Sequence, residues 1–130
     1  MTKKYNRGLK NLVGFQLIDL TEDRILVRSP EGKVYTLFIE DDEGDCCGFN
    51  NITTTLQVKR NSKANPIITK VSTQNEEEGE GEYCYVTFYG DSKVLGTINT
   101  YSSSGSGWSY GANVTVRCSP LSLLEVLSSW

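Results

Sequence analysis

The sequence predicts a mainly β domain: a single antiparallel sheet, or a small sandwich or barrel-like arrangement, finished by one short C-terminal helix. Three observations predict it. Most segments read with a period of two. β-Branched and aromatic residues are frequent, and both fit a pleated surface. Clusters of Gly, Pro, Asp, Asn and Ser separate the runs where a chain would turn. The 130 residues give room for one domain, 1–130, with a basic N-terminal arm over 1–11. Hydrophobic residues at 38% and charged residues at 22% are too apolar and too evenly balanced for a disordered tail.

Taken in order, Leu12 to Leu20 reads as a first strand, with Phe15 and Leu17 on one face. Thr21-Glu22-Asp23-Arg24 is a turn into Ile25 to Arg28. Ser29-Pro30-Glu31-Gly32-Lys33 is a second turn, because proline presets φ and glycine accepts positive φ. Val34 to Ile39 completes an antiparallel meander. Glu40 to Asp45 reads as an acidic loop, and Ile52 to Lys59 as a threonine-rich strand. Pro66 to Thr73 is expected as a strand with Ile67, Thr69 and Val71 on one side. Gln74 to Glu82, polar and acidic with two glycines, is expected as a solvated loop. Tyr83 to Tyr89 alternates, placing Cys84, Val86 and Phe88 on one face and Tyr83, Tyr85, Thr87 and Tyr89 on the other. Val94 to Tyr101 and Ala112 to Cys118 are expected to pair. Ser119-Pro120 resembles a helix start, with Leu121, Leu124 and Leu127 or Val126 as an apolar stripe over 119–130.

Net charge is −3, but ten of the sixteen carboxylates fall in two short runs. One is Glu40, Asp41, Asp42, Glu43 and Asp45; the other is Glu76, Glu77, Glu78, Glu80 and Glu82. Outside them, thirteen basic side chains face six acidic ones. The chain is therefore expected to be polarised, with acidic loops on a mildly basic body. Such loops keep a β protein from pairing its edges, or they mimic phosphates and enter a basic groove on a partner. Clustered carboxylates also suit hard cations, although Asp41 to Asp45 lacks EF-hand spacing. The basic clusters of Lys3, Lys4, Arg7 and Lys10 and of Lys59, Arg60 and Lys63 are not interleaved with aromatics in the way a base-stacking platform would be, so direct nucleic-acid binding is not expected.

Histidine is absent, which excludes Ser-His-Asp and Cys-His catalysis and imidazole-based zinc sites. Asp45, Cys46 and Cys47 are the one cluster of reactive side chains. Neighbouring carboxylates raise a thiol pKa rather than activate it, and no CxxC spacing supports a metal. A zinc site there would need Cys84 or Cys118; buried structural cysteines are the favoured reading, with a metal site second. No catalytic residue and no cofactor are expected, zinc being the one candidate. Gly105-Ser106-Gly107-Trp108-Ser109-Tyr110 lacks the GK[ST] ending of a phosphate loop. It reads as a hairpin tip presenting Trp108 and Tyr110, residue types that anchor interfaces, or else as rings folded back over the sheet. The glycosylation patterns at Asn51 and Asn113 read as chance, since no signal-peptide core is seen. No run approaches the roughly 18 apolar residues of a membrane span, and no membrane association is expected.

The order of several pieces resembles a known family. It runs from Gly32-Lys33-Val34-Tyr35 through Asp45-Cys46-Cys47 and Asn65-Pro66-Ile67-Ile68 to Val86-Thr87-Phe88-Tyr89 and a last hairpin with Trp108-Ser109-Tyr110. Over residues 12 to 117 this is similar to a family of short proteins of unknown function from tailed phages and prophages, which carry an Asp-Cys-Cys motif and a Thr-Phe-Tyr strand. Family members usually have Glu after the two cysteines, where this chain has Gly48. The resemblance implies phage or prophage origin and action in the bacterial host cytoplasm, and carries over no functional residues.

With it, the sequence points to a small non-enzymatic binding protein. It would inhibit or redirect a host protein, such as a defence nuclease of the CRISPR type, by protein–protein contact. The expected contact residues are Trp108, Tyr110, Glu40, Asp41, Asp42, Glu43, Glu76, Glu77 and Glu78. The alternatives are a metal-binding protein or enzyme centred on Asp45, Cys46 and Cys47, and a minor virion component.

Overall fold

In a computed structural model, residues 7–43, 48–103 and 112–130 are described. Among the described residues, nine strands form two antiparallel sheets, as the period-two pattern predicts: β1 (Gln16–Leu20), β2 (Arg24–Arg28), β3 (Val34–Asp42), β4 (Phe49–Leu56), β5 (Lys70–Glu78), β6 (Gly81–Gly90), β7 (Lys93–Ser103), β8 (Asn113–Cys118) and β9 (Leu123–Ser129). One sheet has the order β1-β2-β3-β8-β9 and the other β4-β7-β6-β5. A shared core joins their inner faces. Leu17, Ile25, Val27, Leu37, Val114, Val116 and Leu127 come from the first, and Val71, Val86, Phe88 and Ile98 from the second. The arrangement is sandwich-like.

The meander forms as the turn residues dictate. Thr21 and Arg24 close the first turn, and the Ser29 hydroxyl accepts the Lys33 amide in the second. β1 is shorter than the expected strand: Leu9–Leu12 forms a single 3-10 turn that drops Leu9 and Leu12 into the core, and pairing starts at Gln16. A bulge between Leu17 and Asp19 lets both Leu17 and Ile18 be buried.

Four further expectations are corrected. The segment from Pro66 does not pair as a regular strand until Lys70. There Ile67 stays 47% exposed while Ile68 is buried, because the Ile68 amide and carbonyl bond Phe15 and Gly14 instead of a ladder partner. The acidic run Glu76-Glu77-Glu78 is strand rather than loop: β5 continues to Glu78, and Gly79 (φ 64°) supplies the positive φ that the first central position of a two-residue hairpin accepts. Glu40, Asp41 and Asp42 likewise lie in β3, paired to Thr115, Val114 and Asn113. β7 and β8 do not pair; β7 lies between β4 and β6, and β8 between β3 and β9.

The C-terminal helix over 119–130 shrinks to one 3-10 turn at Ser119–Leu121, ended by Ser122 in the left-handed region, and the rest is β9. The three-residue spacing of Leu121, Leu124 and Leu127 suits a helix face but alternates sides in a strand, where residues two or four apart share a face. Leu123 and Leu127 therefore share the buried face, while Val126 points outward at 55% exposure. Among the described residues no helix is long and apolar enough to cross a membrane.

Candidate binding surface

The strand registers bring both acidic runs to one end of the sandwich. In the five-stranded sheet, Asp42, Asn113 and Ser129 form one rung. In the four-stranded sheet, Asn50, Ser102 and Glu82 form another. Hydrogen bonds tie the two rungs together. The Asn50 amide donates to the Asp41 carboxylate at 2.6 Å and to the carbonyls of Asp42 and Asn113. The Ser129 amide donates to Glu82 Oε1 at 2.9 Å. Between the sheets at this end, Thr100 donates to the buried Ser128 hydroxyl, which also shares a hydrogen bond with Ser102, each at 2.7 Å. This end thus gathers Asp41, Asp42, Glu43, Glu76, Glu77, Glu78, Glu80 and Glu82.

Basic residues lie at the opposite end. Arg28 sits opposite Val34 and Lys70 opposite Tyr89, with Lys93 opposite Gly90. The carbonyls of Lys63 and Asn65 accept from Gln16, whose carbonyl oxygen accepts from Arg28. The polarity expected from the sequence is therefore axial: acidic at one end, basic at the other.

The candidate carboxylates are not equivalent. Glu40 is engaged by Arg117 at 3.3 Å, and Asp41 is held by Asn50. Both have structural partners, so they are weaker contact groups than their charge suggested. Glu76, Glu77 and Glu78 are exposed on β5, an edge strand, where charge also discourages pairing with another sheet. Trp108 and Tyr110, and Asp45, Cys46 and Cys47, fall outside the described residues. The residues that flank those segments, Glu43, Gly48, Ser103 and Ala112, lie at the acidic end.

The register also builds a surface that the sequence reading left unassigned. On the outer face of the four-stranded sheet, one rung runs Glu76, Tyr83, Tyr101, Asn51 and the next Gln74, Tyr85, Asn99, Thr53. Tyr83 and Tyr101 have ring centroids 4.5 Å apart, Tyr83 and Tyr85 stack at 6.0 Å, and Phe49 meets Tyr101 at 5.7 Å. Gly81 makes this possible: the Tyr101 ring occupies the space that a Cβ at Gly81 would take. Asn51, Thr53, Tyr83, Tyr85, Asn99 and Tyr101 line a shallow, open depression of about 190 Å³. The signal was in the sequence as the alternation of Tyr83, Tyr85 and Tyr89, but only the register adds Tyr101 and Phe49. Phe49 is 45% exposed and Trp130 38%, and both sit at the acidic end.

The two described cysteines are core residues. Cys84 and Cys118 are buried free thiols. Burial, with the carboxylates of Glu125 and Glu82 nearby, pushes the Cys84 thiol up to about 12. Burial also raises Cys118. A thiol held protonated is neither a nucleophile nor a ready metal ligand at neutral pH. Among the described residues, no group of three His, Cys, Asp or Glu side chains is placed to hold a metal.

No family model, curated protein or solved structure matches the chain.

Proposed function

We propose that the chain is a small binding protein that acts by protein–protein contact on a bacterial host protein with a basic surface. Its contact surface is the acidic end together with the tyrosine-lined face beside it. One observation carries the reading: two acidic runs far apart in sequence meet at one end of the sandwich, next to half-buried tyrosine rings and the exposed Phe49. Charge of one sign steers a complementary partner and orients it. Aromatic side chains beside it supply the apolar area that charge alone lacks. The resemblance to phage proteins makes a host factor the partner, and a nuclease, whose substrate groove is basic, a fitting one to inhibit. Glu76, Glu77 and Glu78 are the principal acidic contacts, and Trp108 and Tyr110 further anchors.

The test is capture from bacterial lysate with three baits: wild type, an E76Q/E77Q/E78Q variant and a W108A/Y110A variant. A basic protein captured by wild type, released by raised salt and lost with the triple glutamine variant supports the reading. Capture that none of these substitutions changes contradicts it.

A further inference from the structure

Aromatic faces on this molecule already hold cations elsewhere. Lys33 Nζ lies 5.5 Å above the ring centroid of Tyr35, and Lys70 Nζ lies 5.5 Å above that of Tyr89. Tyr83, Tyr85 and Tyr101 form a larger platform, and among the described residues no lysine or arginine covers it. What stands beside it is carboxylate. Glu76 is the direct cross-strand neighbour of Tyr83 on the same face, with Gln74 opposite Tyr85 one rung on. The field is felt at the platform: loss of solvent around the Tyr85 phenol and then the charge of Glu76, the Tyr83 phenol and Glu78 all raise its pKa above the usual value.

We propose that the depression between Tyr83, Tyr85 and Tyr101 receives one arginine side chain of the partner. This rests on the protein-contact reading above and names the group recognised. The depression, at about 190 Å³, falls short of the roughly 300 Å³ at which pockets for drug-sized ligands begin, and suits a single side-chain head. Arginine fits better than lysine. Its planar guanidinium stacks on aromatic rings, and its several donors can bond the amide oxygens lining the depression while it stacks. Asn99 and Asn51 line the depression and supply the amide oxygens, while Glu76, across Tyr83 on β5, adds negative charge from outside the lining. A neutral sugar ring would also stack on tyrosine and bond asparagine, but it would gain nothing from Glu76 and Glu78.

The experiment is an amide chemical-shift titration of the labelled full chain with N-acetyl-Gly-Arg-Gly-amide. The same peptide with citrulline, a neutral isostere of arginine, and with lysine are run beside it, together with a neutral disaccharide. The expected result is shifts at Tyr83, Tyr85, Asn99 and Tyr101 with the arginine peptide, absent with citrulline and weaker with lysine. Binding should fall about fivefold in Y85A, in line with the loss of one cation–π contact, and also in E76Q, which keeps the side-chain shape. The citrulline comparison leaves the protein untouched, so it holds even if Y85A folds poorly. Equal shifts with citrulline, shifts with the disaccharide but not with arginine, or no shifts at the platform each overturn the proposal. Shifts confined to Glu77 to Glu82 overturn it too, yet leave the acidic end as a contact surface; lysate capture tests that surface independently of Tyr85.

Discussion

Individual residues set what this surface can do, and Gly81 is the plainest case. A methyl group there would collide with the Tyr101 ring. Gly81→Ala is expected to displace Tyr101 and dismantle the depression while leaving the core intact. The check is the tyrosine near-ultraviolet circular dichroism signal, which should change while the far-ultraviolet β signal stays. Cys84 gives a second prediction at this scale. Its folded-state pKa of about 12 lies above the ordinary thiol value of 9.0. The unfolded chain therefore loses that proton first as pH rises, and its ionisation favours unfolding. Stability should be unaffected by this group below about pH 9 and should fall progressively from there toward pH 12. Denaturant midpoints of wild type and Cys84→Ala across that range will show it: the wild-type decline should be the steeper. Cys84 and Cys118 are apolar packing units, the reading the sequence favours for its cysteines, while Asp45, Cys46 and Cys47 lie outside the described residues.

Among the elements, the β5–β6 hairpin shows where sequence patterns mislead. Five glutamates and two glycines between Gln74 and Glu82 read as a solvated loop, because such residues bury nothing and resist strand formation alone. They form strand here since β5 needs only one partner, and β6 supplies a complete ladder with a buried inner face. Gly79→Ala should cost about 1 kcal/mol, the penalty of a Cβ at positive φ, measured by chemical denaturation. β9 differs for another reason: Leu121, Leu124 and Leu127, three apart, read as a helical stripe, yet in the strand Leu123 and Leu127 are the buried pair and Leu124 is only half-buried. The inter-sheet hydroxyl cluster was invisible because Thr100, Ser102 and Ser128 look like surface residues in any single strand. Ser128→Ala should destabilise by about 1–2 kcal/mol by leaving those two buried hydroxyls short of a partner. By contrast, the β1–β3 meander was legible because each turn carries its own chemistry.

At the scale of the whole molecule, the sequence could state that charge was segregated but not along which direction. Period-two alternation tells which face of a strand is buried and is silent on which sheet the strand joins, so β7 and β8 were paired wrongly. Only the two-layer arrangement converts eight of the clustered carboxylates, all among the described residues, into one acidic end and sets the tyrosine face beside it. The acidic end also holds like charges together. Replacing Glu76, Glu77 and Glu78 by glutamine should leave the melting temperature unchanged or raise it at low salt, while weakening partner capture. A loss of capture with a fall in melting temperature would instead place those carboxylates in the structural framework.

Hydrogen–deuterium exchange on the chain with its captured partner tests the shared surface most directly. Protection confined to residues 39–43, 49–53, 74–85 and 99–110 is the predicted result, with the basic end around Lys59 and Lys63 exchanging as in the free protein. Protection at that basic end, with the acidic end and tyrosine face unchanged, would contradict the account.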